Sequence, residues 1–413
     1  MKTLRLTLLF LLCVALFSFA SCGILEDIVP SPTPSTDSDP QTEKQEQLDR
    51  IRERQESPIQ IESPYRIIAI AAGYDFSLAI KDDNSLWGWG NNTSGELGLG
   101  MWEWPLSPRR IIGNVTYVAA GYGHSMAILK DSSLWGWGWN GSGQVGDGTT
   151  DTRFYPTRIM ENVVHVATGW DFTLAITDDG ALWGWGWNAN GEMGKAGYEQ
   201  YLVPVFIMDN VIYATAGGNH GLAITADNAL WGWGSNTSGQ LGDGTMENPY
   251  APIYIMSNIA AVSAGFDYTL AVTTCGELWG FGNNNFGELG GAAVDFHPAP
   301  IFLRDGIASV SAGFAHTMVI TTEGELLASG QNEYGQLANP ERWPRRHFIH
   351  VMYDIAYVSA GYGHTMVVTA EGALLAWGLN DEGQVGDGSI ENRYAPVVVI
   401  RPVEGALSRP LVL

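Results

Sequence analysis

The chain has 413 residues, with 21 Lys and Arg against 44 Asp and Glu, for a formal net charge of −23. An acidic surface of this kind repels phosphate backbones and excludes nucleic acid as a natural partner. Three cysteines with no C-x-x-C pair exclude a disulfide framework, a cysteine zinc site and a redox dithiol.

Residues 1–21 have the pattern of an export signal. Lys2 and Arg5 open it, Leu6 to Ala20 form an apolar core, and Phe19-Ala20-Ser21-Cys22 closes it with small residues. The apolar run is too short for a confident membrane span. A cysteine directly after such a site resembles the bacterial lipobox, although Phe19 stands where that pattern usually carries an aliphatic residue. The resemblance implies that Cys22 receives lipid, palmitate included, and that the chain is exported as a membrane-anchored lipoprotein at the bacterial cell surface or in the periplasm. Residues 22–64 then read as a linker, Pro/Ser-rich at first and charge-alternating later. About 40 flexible residues reach roughly 35 Å, enough to hold a domain off a membrane.

From residue 65 to 413 one segment recurs seven times at a constant 48-residue spacing, marked by Gly73, Gly121, Gly169, Gly217, Gly265, Gly313 and Gly361. A fixed period over seven copies means one supersecondary unit stacked on itself. Within the second copy, four strands are expected. They are Val115 to Ala119, His124 to Leu129, Leu134-Trp135-Gly136-Trp137-Gly138, and an edge-like Tyr155 to Met160. Four short strands in each of seven units, without helical periodicity, predict an all-β, seven-bladed β-propeller. Ile59-Gln60-Ile61 or the tail Arg401 to Leu413 is expected to help close the ring.

Ala120-Gly121-Tyr122-Gly123-His124-Ser125, Trp137-Gly138, Gly143-Gln144-Val145-Gly146-Asp147-Gly148-Thr149 and Pro156 together resemble the regulator of chromosome condensation repeat family. The resemblance covers all seven units and implies the same seven-bladed propeller. It also implies recognition of proteins on loop faces, as in nucleotide exchange on a nuclear GTPase or inhibition of a β-lactamase by a secreted relative in fold. Neither activity transfers: the GTPase belongs to another compartment, and the inhibitor comparison rests on fold alone. The sixth unit departs most, with Leu327, Ser329, Ala338 and Phe348 at slots that elsewhere hold Trp, Trp or Phe, Gly and Pro.

The residues offer no catalytic constellation. One slot holds Phe76, His124, Phe172, His220, Tyr268, His316 and His364, so it asks for a flat ring and not for a metal ligand. Gly123-His124-Ser125-Met126-Ala127 fails as a nucleophile elbow because no strand-to-helix turn follows. No cofactor and no metal are expected. The better candidates vary at a constant position in the loops before the register prolines: Trp102, Trp104, Tyr198, Tyr201 and Trp343, with Arg345 and Arg346 in the basic segment of the sixth unit. Aromatics there suit contact with an extracellular or periplasmic protein. Phe154, Tyr250 and Tyr394, two before proline, fit equally well between neighbouring blades. The expected function is a non-catalytic protein-interaction module. The alternative is a propeller that binds or cleaves carbohydrate, with Trp and Tyr stacking on sugars beside Asp and Glu.

Overall fold

The computed structural model describes residues 61–101, 103–197, 200–291 and 294–403, which contain strands and no helix. A short strand β1 (Ile61–Ser63) precedes a four-stranded antiparallel sheet of β2 (Ile67–Ala72), β3 (Phe76–Lys81), β4 (Leu86–Gly90) and β5 (Arg109–Arg110), paired in that order. Six further sheets repeat the order over 115–160, 163–208, 211–256, 259–304, 307–352 and 355–402. The first strands of successive sheets touch one another, and β2 also touches Ile355–Ala360 of the last sheet, which closes a ring of seven blades. The predicted propeller is the observed fold.

Each blade is one continuous stretch of chain. The terminal strands do not complete a shared blade. Ile61–Ser63 instead pairs parallel with Ile400–Pro402 on the outer edge of the seventh blade, which makes that sheet five-stranded. The added strand covers an edge that would otherwise present unpaired backbone groups.

The register explains the glycine that marks each repeat. A Cβ on Gly121 would lie 2.7 Å from His124 Cε1 and 2.8 Å from the Gly169 carbonyl oxygen of the next blade. The flat side chain three residues later therefore lies directly on the glycine, and only glycine permits it. Gly136 does the same for the third strand, where a Cβ would stand 2.8 Å from Met126 Sδ. Opposite it the strand carries its bulk: Ser125 pairs across from Trp137, and Trp137 is fully buried against the first blade's Phe76 and Leu78.

Blades are joined by a recurring set of polar bonds inside this apolar packing. Between the second and third blades, Thr173 Oγ1 and Trp185 Nε1 both donate to the Gln144 carbonyl, at 2.8 and 2.9 Å. His124 Nε2 meets Thr173 Oγ1 at 2.9 Å. The threonine hydroxyl has one proton and spends it on the carbonyl, so the imidazole must donate and is the Nε2–H tautomer. Equivalent contacts hold His220 to Thr269, His316 to Thr365 and His364 to Ser77. The last of these spans the seventh and first blades, where Ser77 Oγ and Trp89 Nε1 donate to the Gln384 carbonyl at 2.7 and 3.0 Å. The ring thus closes with the bonds that build it. The sixth blade keeps part of the pattern despite its different residues, because Ser329 Oγ donates to the Glu288 carbonyl at 3.2 Å in place of an indole.

Burial and hydrogen bonding can be separated at Trp185. Trp185→Phe, which resembles the natural Phe281 of the fifth blade, should cost about 1 kcal/mol for the lost bond. Trp185→Ala should cost roughly 3–5 kcal/mol through lost burial and a cavity. Urea unfolding of the two variants measures the difference.

Candidate functional site

In an antiparallel blade, the connection from the first to the second strand and that from the third to the fourth leave from the same end. Residues 73–75 and 91–108 of the first blade therefore share one face with their equivalents around the ring. The residue after each register glycine is Tyr74, Tyr122, Trp170, Gly218, Phe266, Phe314 and Tyr362. Their backbones are linked sideways: Tyr74 N–H donates to the Gly121 carbonyl at 3.2 Å, Gly218 N–H to Phe266 at 3.1 Å, and Tyr362 N–H to Gly73 at 3.3 Å.

The six rings meet at the centre of this face. Tyr122 and Trp170 stack with centroids 4.3 Å apart, and Tyr74 lies 4.1 Å from Tyr362. Phe266 lies 4.9 Å from Trp170 and 4.4 Å from Phe314, which reaches Tyr362 at 4.7 Å. With the glycines they line an open bowl of about 110 Å³. Burial holds the Tyr74 and Tyr122 hydroxyls protonated well above neutrality, helped by Tyr362 beside Tyr74 and by Asp75 and Asp171 near Tyr122. Further out, Trp139, Trp187 and Phe286 are 43%, 38% and 38% exposed. A cleft of about 270 Å³ between Tyr74, Tyr122 and Trp139 is lined by Asp75, Asn91 and Glu96.

Carboxylates surround the rings. Asp75, Asp171 and Asp267 follow Tyr74, Trp170 and Phe266 directly, accepting hydrogen bonds from Asn91 at 2.8 Å, Gln144 at 2.8 Å and Gln240 at 3.2 Å. Burial raises the carboxyls of Asp171 and Asp267 above the usual range. Glu96, Glu192 and Glu288 are buried one turn further out, each accepting a backbone N–H from two residues before it, at 2.8 to 2.9 Å. Burial pushes the Glu288 carboxyl up to about 7, against the opposing pull of backbone N–H groups and the Arg346 guanidinium. Among the described residues, no three His, Cys, Asp or Glu side chains converge as a metal site.

The candidates read from the sequence have different positions from this bowl. Cys22, Trp102 and Tyr198 lie outside the described residues. Trp104 turns inward and is only 7% exposed, so it does not offer its ring to a partner. Tyr201 is half-buried against the cores that join the second to the third blade and the third to the fourth. Trp343 is 76% exposed on the loop face. The basic segment is largely neutralised: Arg345 pairs with Glu341, and Arg346 reaches across to the fifth blade's Asp295 at 2.6 Å. Arg342 stacks over Tyr394 at 4.2 Å. Phe154, Tyr250 and Tyr394 lie against Gly95, Gly191 and Gly335 of the preceding blades, so they pack between blades. The bowl is not among the sequence candidates, although its residues also vary at one constant position.

Residues 40–268, more than half of the chain, match the RCC1-like domain. The chain belongs to the RCC1-like domain family. Regulator of chromosome condensation (RCC1) repeats match residues 259–288, 307–336, 355–384 and 371–409 of the same propeller. Human WBSCR16 superimposes with a TM-score of 0.71 at 22% identity, over 78% of this chain and 94% of that one. Yeast RCC1 (Prp20), crystallised with Kap60, superimposes with a TM-score of 0.68 at 19% identity, over 91% of each chain. These likenesses show the fold. No curated protein sequence is significantly similar to this RCC1-like chain.

Glu288 yields a signed prediction. Its carboxyl moves from 4.5 to about 7 in the folded chain, so the folded state holds the proton more tightly. Stability from this group is complete below about pH 4.5 and is lost as the pH rises through 7. Glu288→Gln, which installs the amide found at Gln144, Gln240, Gln336 and Gln384, should stabilise the propeller at pH 8 by of order 1–3 kcal/mol. At pH 4 the variant and the parent should unfold at the same denaturant concentration.

Proposed function

We propose that this RCC1-like chain is a cell-envelope lipoprotein whose propeller binds a protein partner, without catalysis, through the face that bears the aromatic bowl. The observation that carries the reading is the concentration of partly exposed rings on that face, with Tyr122 in the open bowl and Trp139, Trp187 and Phe286 further out. Rings of this kind contribute large contact area at small conformational cost. Yeast Prp20p, a relative in fold at 21% identity, TM-score 0.65, matched over 72% of this chain and 80% of its own, has been characterised for binding to Gsp1p and histones. Those partners stay with that protein, but its use of the fold for protein binding supports the reading. Export and anchoring rest on the sequence at Cys22 and the linker to residue 64.

Carbohydrate binding is the second reading. One observation favours it: the cleft beside the first blade places Tyr122 and Trp139 next to Asp75, Asn91 and Glu96, a combination suited to stacking and hydrogen bonding of a sugar.

A photoreactive benzophenone amino acid at Tyr122, in cells that produce the chain, should yield one discrete protein adduct. The same group at Tyr353, exposed on the opposite face, should yield none. Adducts from Tyr353 alone contradict the reading, and glycan retention abolished by Trp139→Ala transfers the face to the second one. Cys22→Ala should release the chain from the membrane fraction or block its maturation. Unchanged membrane retention contradicts the lipid anchor.

A further inference from the structure

We propose that the propeller binds a small uncharged polyol, of the size of one sugar ring, in its central cavity at the end opposite the bowl. There the His165 imidazole accepts from one ligand hydroxyl, and Tyr117 and Tyr213 donate to others. The site is separate from the loop face, so it stands whether or not that face binds a protein.

Placement comes first. Tyr117, His165 and Tyr213 hold one slot, the third residue of the first strand, in blades two, three and four. In each strand the register shifts immediately before this residue, and such a bulge re-aims the side chain that follows it. The rings run in a row, with centroids 5.1 Å apart from Tyr117 to His165 and 4.6 Å apart from His165 to Tyr213. With Thr168, Thr215 and Ser359 they line a cavity of about 190 Å³. Ala72, Ala120, Thr168 and Ala216 line both this cavity and the bowl, so the two follow one another through the centre of the ring. The strand Val115–Ala120 runs toward the loop face, which places Tyr117 at the far end.

Hydrogen bonding then selects the occupant. His165 is only 8% exposed, and its Nε2 lies 2.7 Å from the Ala214 carbonyl oxygen. A carbonyl only accepts, so Nε2 carries the proton and Nδ1 carries a lone pair. Burial holds the imidazole below its ordinary pKa, against the pull of that carbonyl, and the ring is neutral. Among the described residues nothing donates to Nδ1, and nothing bonds the Tyr117 or Tyr213 hydroxyl. Ser359 Oγ accepts the Ala72 N–H at 2.9 Å and keeps its own proton. Buried polar atoms cost free energy until they are bonded, so this set asks for a molecule that both donates and accepts. No Lys, Arg, Asp or Glu lines the cavity, and an ion entering it would surrender its hydration without a counter-charge. A polyol gives and takes at every hydroxyl and lays its C–H groups on rings. The cavity has room for about six waters at roughly 30 Å³ each, which one sugar ring can replace.

The test uses the full chain in zwitterionic detergent micelles, which carry no sugar, titrated with D-glucose, D-galactose, D-mannose and N-acetylglucosamine. The readout is the nitrogen-15 resonance of His165 Nδ1, assigned through His165→Gln. At least one of these neutral sugars should shift it with a Kd on the order of 1–10 mM. Glucosamine and glucuronate, which carry charge, should bind at least ~10-fold more weakly. Tyr117→Phe and Tyr213→Phe keep the rings and remove hydroxyls that the fold does not use. Each should weaken binding by about 5–10-fold and leave the unfolding midpoint at that of the parent. A His165 resonance that none of the four sugars moves means a cavity filled by water only and overturns the inference. Equal or tighter binding of the charged sugars, or unchanged affinity in both tyrosine variants, overturns it too. So does a sugar that moves the Trp139 indole and leaves His165 in place, because it occupies the loop-face cleft instead. None of these results bears on the Tyr122 adduct, which tests the loop face by itself.

Discussion

Every blade boundary with a Gln turn depends on one backbone carbonyl. The carbonyl of Gln144 accepts a hydroxyl and an indole N–H from the next blade, and that hydroxyl in turn accepts from His124, which shares a blade with Gln144. Three side chains from two blades are thereby fixed around a single oxygen, inside packing that excludes water. The imidazole lies on Gly121, the indole lies against Gly146, and the hydroxyl sits beside the ring slot. A displacement of any of these positions by one residue would turn the side chain to the other face of its strand, which explains why the 48-residue period tolerates no insertion. The first and seventh blades meet through His364, Ser77 and the Gln384 carbonyl, so closure needs no special device. The strap of Ile61–Ser63 lies outside this system, on the rim.

The boundaries are not identical, and the differences follow an alternation. Blades one, three and five carry Phe76, Phe172 and Tyr268 in the ring slot, with Asp75, Asp171 and Asp267 just before and Glu96, Glu192 and Glu288 at the turn. Blades two, four, six and seven carry His in the slot and Gln at the turn. The pairing is physical: Gln144 and Gln240 donate across the boundary to Asp171 and Asp267. Glu96, Glu192 and Glu288 face Gly123, Asn219 and Ala315 in the corresponding register. That arrangement leaves carboxylates close to the bowl on alternate blades.

Much of this was legible in the sequence, because a fixed period reports which residues build blades. The strands of the second repeat lie where alternation placed them, and the divergent sixth blade still forms. What the period cannot report is the direction in which a loop side chain turns. Trp104 and Trp343 occupy comparable loops, yet one is buried and the other is exposed. Arg345 and Arg346 form a basic segment in the sequence, and the fold sets Glu341 and Asp295 beside them. The bowl escaped for a different reason. Its rings obey the register, and a residue that obeys the register can be read as blade construction alone. Position after the glycine, at the end of a first strand, puts one side chain per blade around the centre, so a repeated slot can also build a surface.

The most direct test of the boundary bonds is nitrogen-15 NMR of the histidine rings across a pH series. Burial holds His124, His220, His316 and His364 down to about 3, and among the described residues no group bonds their Nδ1 atoms. The account predicts four neutral Nε2–H imidazoles that persist unchanged at pH 5 in the folded chain. Titration of these rings near 6.5, or the Nδ1–H tautomer in any of the four, would contradict it.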